Sequence, residues 1–144
     1  MDLVLHPDDR LRMKCKPVTY FDAKLRNTLR EMASKMKEWD GIGLAAPQCG
    51  IISRMFVASV PGEGVQAFVN PTIKVVDPTP YRFDEGCLSM PGEKVSTARP
   101  SVVKVRAYDE NGQPFTLVCR DLLSVCVQHE YDHLDGVLML DRIA

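Results

Sequence analysis

The stretch "DLLSVCVQHEYDHLDG", Asp121–Gly136, decides how the rest of the chain must be arranged. It opens on an aspartate suited to cap a helix, runs without Gly or Pro, and stops at a glycine, which predicts a helix through "LLSVCVQHEYDH". Within it His129, Glu130 and His133 form HExxH. Residues four apart on a helix differ by about 400° of rotation and about 6 Å of rise, so both imidazoles can converge on one metal ion. Glu130 then projects beside the metal, placed to take a proton from water. Neutral imidazole binds Zn, Fe, Co or Ni, so the pair leaves the metal's identity open. A helix with two hydrogen-bonded core histidines is the competing reading of the same residues.

Upstream of this helix, residues 51–120 carry short apolar, β-branched runs broken by Pro and Gly: "MFVASV", "VQAFVNPTIKVV", "SVVKVRAYD" and "FTLVCR". These predict strands. Asn111-Gly112, between the last two runs, predicts a hairpin turn, since both residues tolerate positive φ. Further upstream, residues 22–39 place Leu25, Leu29, Met32 and Met36 at steps of four, three and four with charges between them, an amphipathic helix ending at "DGIG". Its methionines read as core filler. The expected fold is α+β, with antiparallel β-sheets packed around a central helix that carries HExxH and with an N-terminal helix. At 144 residues and 45% apolar content the chain can bury one good core, so residues 1–144 are expected to form a single domain.

Lys and Arg number 18 against 19 Asp and Glu, which leaves no net basic footprint for DNA and no membrane-surface patch. The opening "MDLVLHPDDR" lacks the basic start and long apolar core of a secretory signal, and no apolar run is long enough to span a membrane. Five cysteines, with no CxxC pair, do not resemble a disulfide framework and predict reduced thiols in the cytoplasm.

HExxH supplies two ligands and needs a third. Downstream, "LDGVLMLDRIA" offers only Asp135 and Asp141 as donors, so the third ligand is expected upstream. Cys126 is seven residues before His133, about 10.5 Å along a helix axis, too far for one ion held by bonds of about 2 Å to reach Cys126, His129 and His133 together. Cys15, Cys49, Cys87 and Cys119 remain. Cys87, in "DEGCLSMPG", sits in a glycine-bearing segment suited to backbone passing close to a site, and the residues alone do no more than rank it first.

Three blocks in order carry a family resemblance: "GIGLAAPQ" (Gly41–Gln48), "EGCLS" (Glu85–Ser89) and "QHEYDH" (Gln128–His133). With the N-terminal "LHPDDRLRMKCKPV", the chain resembles the peptide deformylases over nearly its whole length. The resemblance implies hydrolytic removal of the formyl group from the N-terminal formyl-methionine of nascent polypeptides at the ribosome, releasing formate. It implies Cys87 as the third metal ligand with His129 and His133, Glu130 as general base and acid, and the Gln48 amide and Leu88 N–H as oxyanion donors. It also implies a methionine pocket lined by Ile42, Glu85, Leu122, Val125 and Cys126, with the Gly43 backbone pairing to the peptide. One divalent metal per chain is expected, Fe(II) as the native ion, with Zn, Ni or Co able to occupy the site. N-formyl-methionyl peptides are the expected partners, with no DNA and no membrane.

Two features depart from the usual bacterial pattern. Lys94 stands where many members carry Arg, which keeps the charge and loses the planar fork. The chain also ends at Ala144, where bacterial forms usually continue into a helix associated with ribosome contact, so it is similar to short, phage-encoded members. Rival readings are an HExxH endopeptidase, which lacks its downstream ligand here, a non-catalytic metal- or peptide-binding module on the same fold, and a structural protein with core thiols and histidines.

Overall fold

A computed structural model describes residues Met1–Ala144. Helix α1 spans Ala23–Glu38, with the Asp22 side chain accepting the Leu25 N–H at its start. Its buried stripe is the predicted one, Leu25, Leu29, Met32 and Met36. The helix ends in a Schellman motif, Gly41 N–H bonding Met36 C=O and Asp40 N–H bonding Lys37 C=O, with Asp40 at φ 58°.

Five strands follow: β1 (Gly43–Ala45), β2 (Met55–Val60), β3 (Gly64–Cys87), β4 (Met90–Tyr108) and β5 (Pro114–Arg120). They form one antiparallel sheet in sequence order. The run "MFVASV" is apolar but for the exposed Ser59, because the rest of β2 is covered on both faces. Met55 and Val57 join the α1 cluster, whereas Phe56 and Ala58 face the other way into a second cluster with Phe68, Val103, Val105 and Val127. Phe56 and Phe68 stack at 4.7 Å between centroids. Truncating a side chain such as Leu29 or Met32 to Ala would cost about 2–5 kcal/mol.

β3 and β4 extend well past the predicted runs. Residues 78–101 pair as a two-stranded ribbon beyond the reach of β2 and β5, with Pro80 opposite Pro100. Four register shifts interrupt the β3–β4 ladder, and irregular positions are where a ladder tolerates proline. The ribbon ends at the Cys87–Met90 pair, so its tip carries "CLSM". In the predicted hairpin only Gly112 takes positive φ, at 80°. The loop is of the three-residue kind, with Asp109 N–H bonding Gln113 C=O and the Asp109 carboxylate accepting the Asn111 and Gln113 N–H groups.

Helix α2 spans Asp121–His133. Asp121 is not its N-cap: it is the first helical residue, with φ 53°, and Arg120 precedes it with no side-chain cap. Strand and helix abut with no loop between them, so the turn falls on Asp121 itself, a residue type that accepts left-handed geometry. Eight of the thirteen α2 residues are buried, which fixes its rotation. The helix ends in a second Schellman motif, Val137 N–H on Asp132 C=O and Gly136 N–H on His133 C=O. Gly136 has φ 71°, and a Cβ there would strike the Arg12 backbone.

Candidate active site

The ribbon tip brings Cys87 to the two α2 histidines. The ligating atoms of Cys87, His129 and His133 lie within 4.8 Å of one another, with Cys87 Sγ 3.5 Å from His133 Nε2. Tetrahedral bonds of about 2.3 Å to sulfur and about 2.0 Å to nitrogen would separate two such donors by about 3.5 Å. The other cysteines lie elsewhere: Cys15 and Cys119 in the core, Cys49 against the α1 cluster, and Cys126 in the wall of the cavity.

Protonation states suit a cation at this point. His133 is buried, and burial together with the neighbouring His129 charge holds its pKa well below the usual value, leaving a free lone pair. Burial works against charge on His129, yet the nearby Glu130 and the hydrogen bonds to Cys87 and Glu85 raise it to about 10. Surroundings that hold a proton on His129 so firmly would hold a metal cation instead. His129 Nδ1 lies 2.9 Å from Glu85 Oε1, which leaves Nε2 toward Cys87 and His133. Two buried polar atoms, Glu130 Oε1 and His133 Nδ1, have no protein partner. Burial pushes the Glu130 carboxyl up to about 7, with the charge on His129 opposing. A carboxyl tuned close to neutrality suits proton transfer.

Gln48 is aimed by its neighbours. Its Oε1 accepts the Ala45 N–H at 2.9 Å and its Nε2 donates to Ser89 Oγ at 3.1 Å, beside Cys87 Sγ at 3.6 Å. Two N-terminal bonds tie the segments together, Val4 N–H to Gln48 C=O and His6 N–H to Ser89 C=O.

A cavity of about 660 Å³ opens over these groups. Of the twelve residues singled out in the sequence, His133 alone stands behind its wall. The cavity is lined by Ile42, Gly43, Gln48, Glu85, Cys87 and Leu88, and on the α2 side by Leu122, Val125, Cys126, His129 and Glu130. Ile42 and Leu122 are exposed at the rim, while Val125 and Cys126 are buried at the base. Lys94 also borders it, its Nζ packed over Gly86. Strand β1 forms the edge of the sheet, and Ser59 N–H bonds Ile42 C=O across it. In an antiparallel pair, residues alternate between facing the partner and facing away, so the Gly43 N–H and C=O point off the edge. A side chain at Gly43 would displace Glu130: a Cβ would come within 2.5 Å of Glu130 Oε2 and 3.0 Å of Cys126 Sγ.

Glu85 is more than a lining residue. Besides His129 it accepts from Thr97 Oγ1, from Arg99 Nε at 2.6 Å and from Arg99 Nη2 at 3.1 Å. Burial alone would raise its pKa, but the bonds from His129 and Arg99 hold it at about 2. The sequence reading missed Ser89, Thr97, Arg99 and Asp132. Ser89 at least closes the "EGCLS" block, whereas Thr97 and Arg99 carry no local signal.

A cysteine and two histidines converging beside a buried glutamate, on an α+β frame, are the mark of the mononuclear metallohydrolases. Within that class the match is specific: the family model for polypeptide deformylase covers residues 1–144, and the chain belongs to that family. It is 42% identical over 136 residues to the peptide deformylase of Clostridium botulinum, covering 94% of this chain and 90% of the relative. With the Cellvibrio japonicus peptide deformylase it shares 43% over 140 residues, covering 96% and 83%. The crystal structure of the Thermotoga maritima peptide deformylase superposes with a TM-score of 0.95 at 40% identity, covering 99% of this chain and 97% of the other. The Synechococcus elongatus enzyme, solved in complex with actinonin, gives 0.94 at 43% identity, with coverages of 99% and 78%.

Proposed function

We propose that this chain is a metal-dependent peptide deformylase, acting as a single catalytic domain over residues 1–144 on the formyl-methionine end of nascent polypeptides in the cytoplasm. The observation that carries this reading is the convergence of Cys87, His129 and His133 beside buried Glu130 in a chain of this family. Cys87, His129 and His133 would hold one divalent ion, Fe(II) by analogy with the family, with Zn, Ni or Co as alternatives that the same nitrogen and thiolate donors accept. When bound, that ion supplies a water of lowered pKa and polarises the formyl carbonyl.

The remaining chemistry belongs to the protein. Glu130 accepts the proton of the attacking water and returns it to the leaving amine. Negative charge developing on the formyl oxygen meets the Gln48 Nε2–H, held by Ala45 and Ser89, and the Leu88 N–H. The methionine side chain enters between Ile42, Leu122, Val125 and Cys126, while Glu85 sets the His129 ring. An extended peptide can add to the free edge at Gly43 by backbone bonds alone. Lys94 at the rim offers a charge to the peptide without the bidentate geometry of Arg. No helix of the structure is long and apolar enough to cross a membrane.

The test is formate release from formyl-Met-Ala-Ser by anaerobically purified protein, with metal content measured on the same sample and Glu130→Ala as control. Release that disappears in the control, at about one metal per chain, is expected. Metal at that stoichiometry without formate would sink the proposed activity.

A further inference from the structure

Behind the site runs a buried chain of alternating charge that ends on the turn Met139–Arg142. His129 Nδ1 meets Glu85; Arg99 grips Glu85 with Nε and Nη2 and reaches Asp132 Oδ2 with Nη1 at 2.8 Å; and Arg142 grips the same Asp132 through Nε and Nη2, both at 3.1 Å. Glu85, Arg99 and Asp132 are at most 7% exposed, whereas the Arg142 side chain is half exposed. We propose that Arg142 is a positioning residue for the metal centre, acting on His129 through Asp132, Arg99 and Glu85. The inference rests on the metal-dependent reading above.

The charges give the reason. With His129 neutral, as a metal-ligating imidazole is, two carboxylates and two guanidinium groups balance. Remove Arg142 and a single guanidinium must serve two buried carboxylates, one of which has lost both bonds of its own fork. A buried carboxylate stripped of its partner is costly, so Asp132 draws Arg99 toward itself. Arg99 then holds Glu85 less well, and the His129 ring, oriented by Glu85, loses its fixed direction. Outer partners of metal-bound histidines are worth about 10- to 100-fold in metal affinity. Arg142 stands further out, so the lower end applies.

The test is Zn(II) affinity by chelator competition on the full chain, with the visible spectrum of the Co(II)-loaded protein as a second readout. Arg142→Ala should bind Zn(II) about tenfold more weakly and alter the Co(II) bands. Arg142→Lys, which keeps the charge without the fork, should fall between wild type and Arg142→Ala and serves should the alanine variant fold poorly. Arg12→Ala is the structural control, because Arg12 pairs with Asp141 on the same turn without touching Asp132. It should lower Tm while leaving Zn(II) affinity unchanged. In the double variant Asp132→Asn with Arg142→Ala no surplus carboxylate competes for Arg99, so affinity should recover. Arg142→Ala binding as tightly as wild type or more tightly, Arg12→Ala weakening Zn(II) as much, or a double variant as weak as the single would overturn the proposal. A wild-type chain that binds no metal would instead remove the reading on which it rests.

Discussion

Gln48, the proposed oxyanion donor, is held from both ends of its amide. Its amide oxygen is engaged by the Ala45 N–H, so the amide cannot flip, and Ser89 fixes the nitrogen. Loss of one such donor costs about 2.7–4 kcal/mol. Gln48→Ala should therefore lower kcat by about a hundredfold or more with metal content near wild type, and should also lower Tm, because the buried Ala45 N–H loses its acceptor. Wild-type turnover in that variant would remove Gln48 from the mechanism. Thiol reactivity separates Cys87 from its four relatives. Burial raises Cys15 and Cys119 to about 11 and Cys49 to about 12, and holds Cys126 well above the usual thiol value, so none is appreciably ionised at pH 8. Iodoacetamide should spare Cys87 in metal-loaded protein and label it first after chelation. Equal labelling in both states, read by peptide mass spectrometry, would count against ligation.

Among the elements, α2 depends on how it stops. Gly136 combines positive φ with a close approach of the Arg12 backbone, so Gly136→Ala adds strain and collision together. It should destabilise the fold by about 1–3 kcal/mol or more, read as a fall in the urea midpoint. A midpoint unchanged from wild type would mean that the helix end relaxes freely. The predicted elements and the missed ones differ in how they are stabilised. The α1 stripe and HExxH were legible because a helix repeats its pattern within a few residues, as Leu25 to Met36 do. The ribbon of residues 78–101 was not: prolines interrupt it, and much of β3 there is exposed on both faces, leaving no alternation to read. The turn into α2 was misread because an aspartate after a strand ordinarily signals a cap, whereas here it makes the bend.

Across the whole molecule, distant segments are joined by charges that no local pattern reveals. Glu85, Arg99, Asp132 and Arg142 come from β3, β4, α2 and the final turn; Glu85 and Asp132 fall inside the blocks "EGCLS" and "QHEYDH", whereas Arg99 and Arg142 look in sequence like ordinary surface charges. The termini meet in a similar way, through Arg12 and Asp141. The Arg12 guanidinium, then the Leu138 N–H, hold the Asp141 carboxyl below the usual range. A carboxyl depressed by folding contributes stability that is complete above the unfolded value near pH 4 and is lost as pH falls through the lower folded value. Asp141→Asn should therefore show a smaller drop in Tm between pH 5 and pH 3 than wild type. Parallel curves for the two proteins would show that the pair carries no acid sensitivity.

The edge strand Gly43–Ala45 is only three residues long, and its Ala45 N–H is already taken by Gln48. Main-chain pairing is indifferent to side chains, so the proposed pairing at Gly43 would orient a peptide without selecting its sequence. An open sheet edge is also where unrelated chains add on and aggregate. At three residues the edge is too short to template a growing stack, so the opening that the proposed pairing at Gly43 needs adds little risk of aggregation.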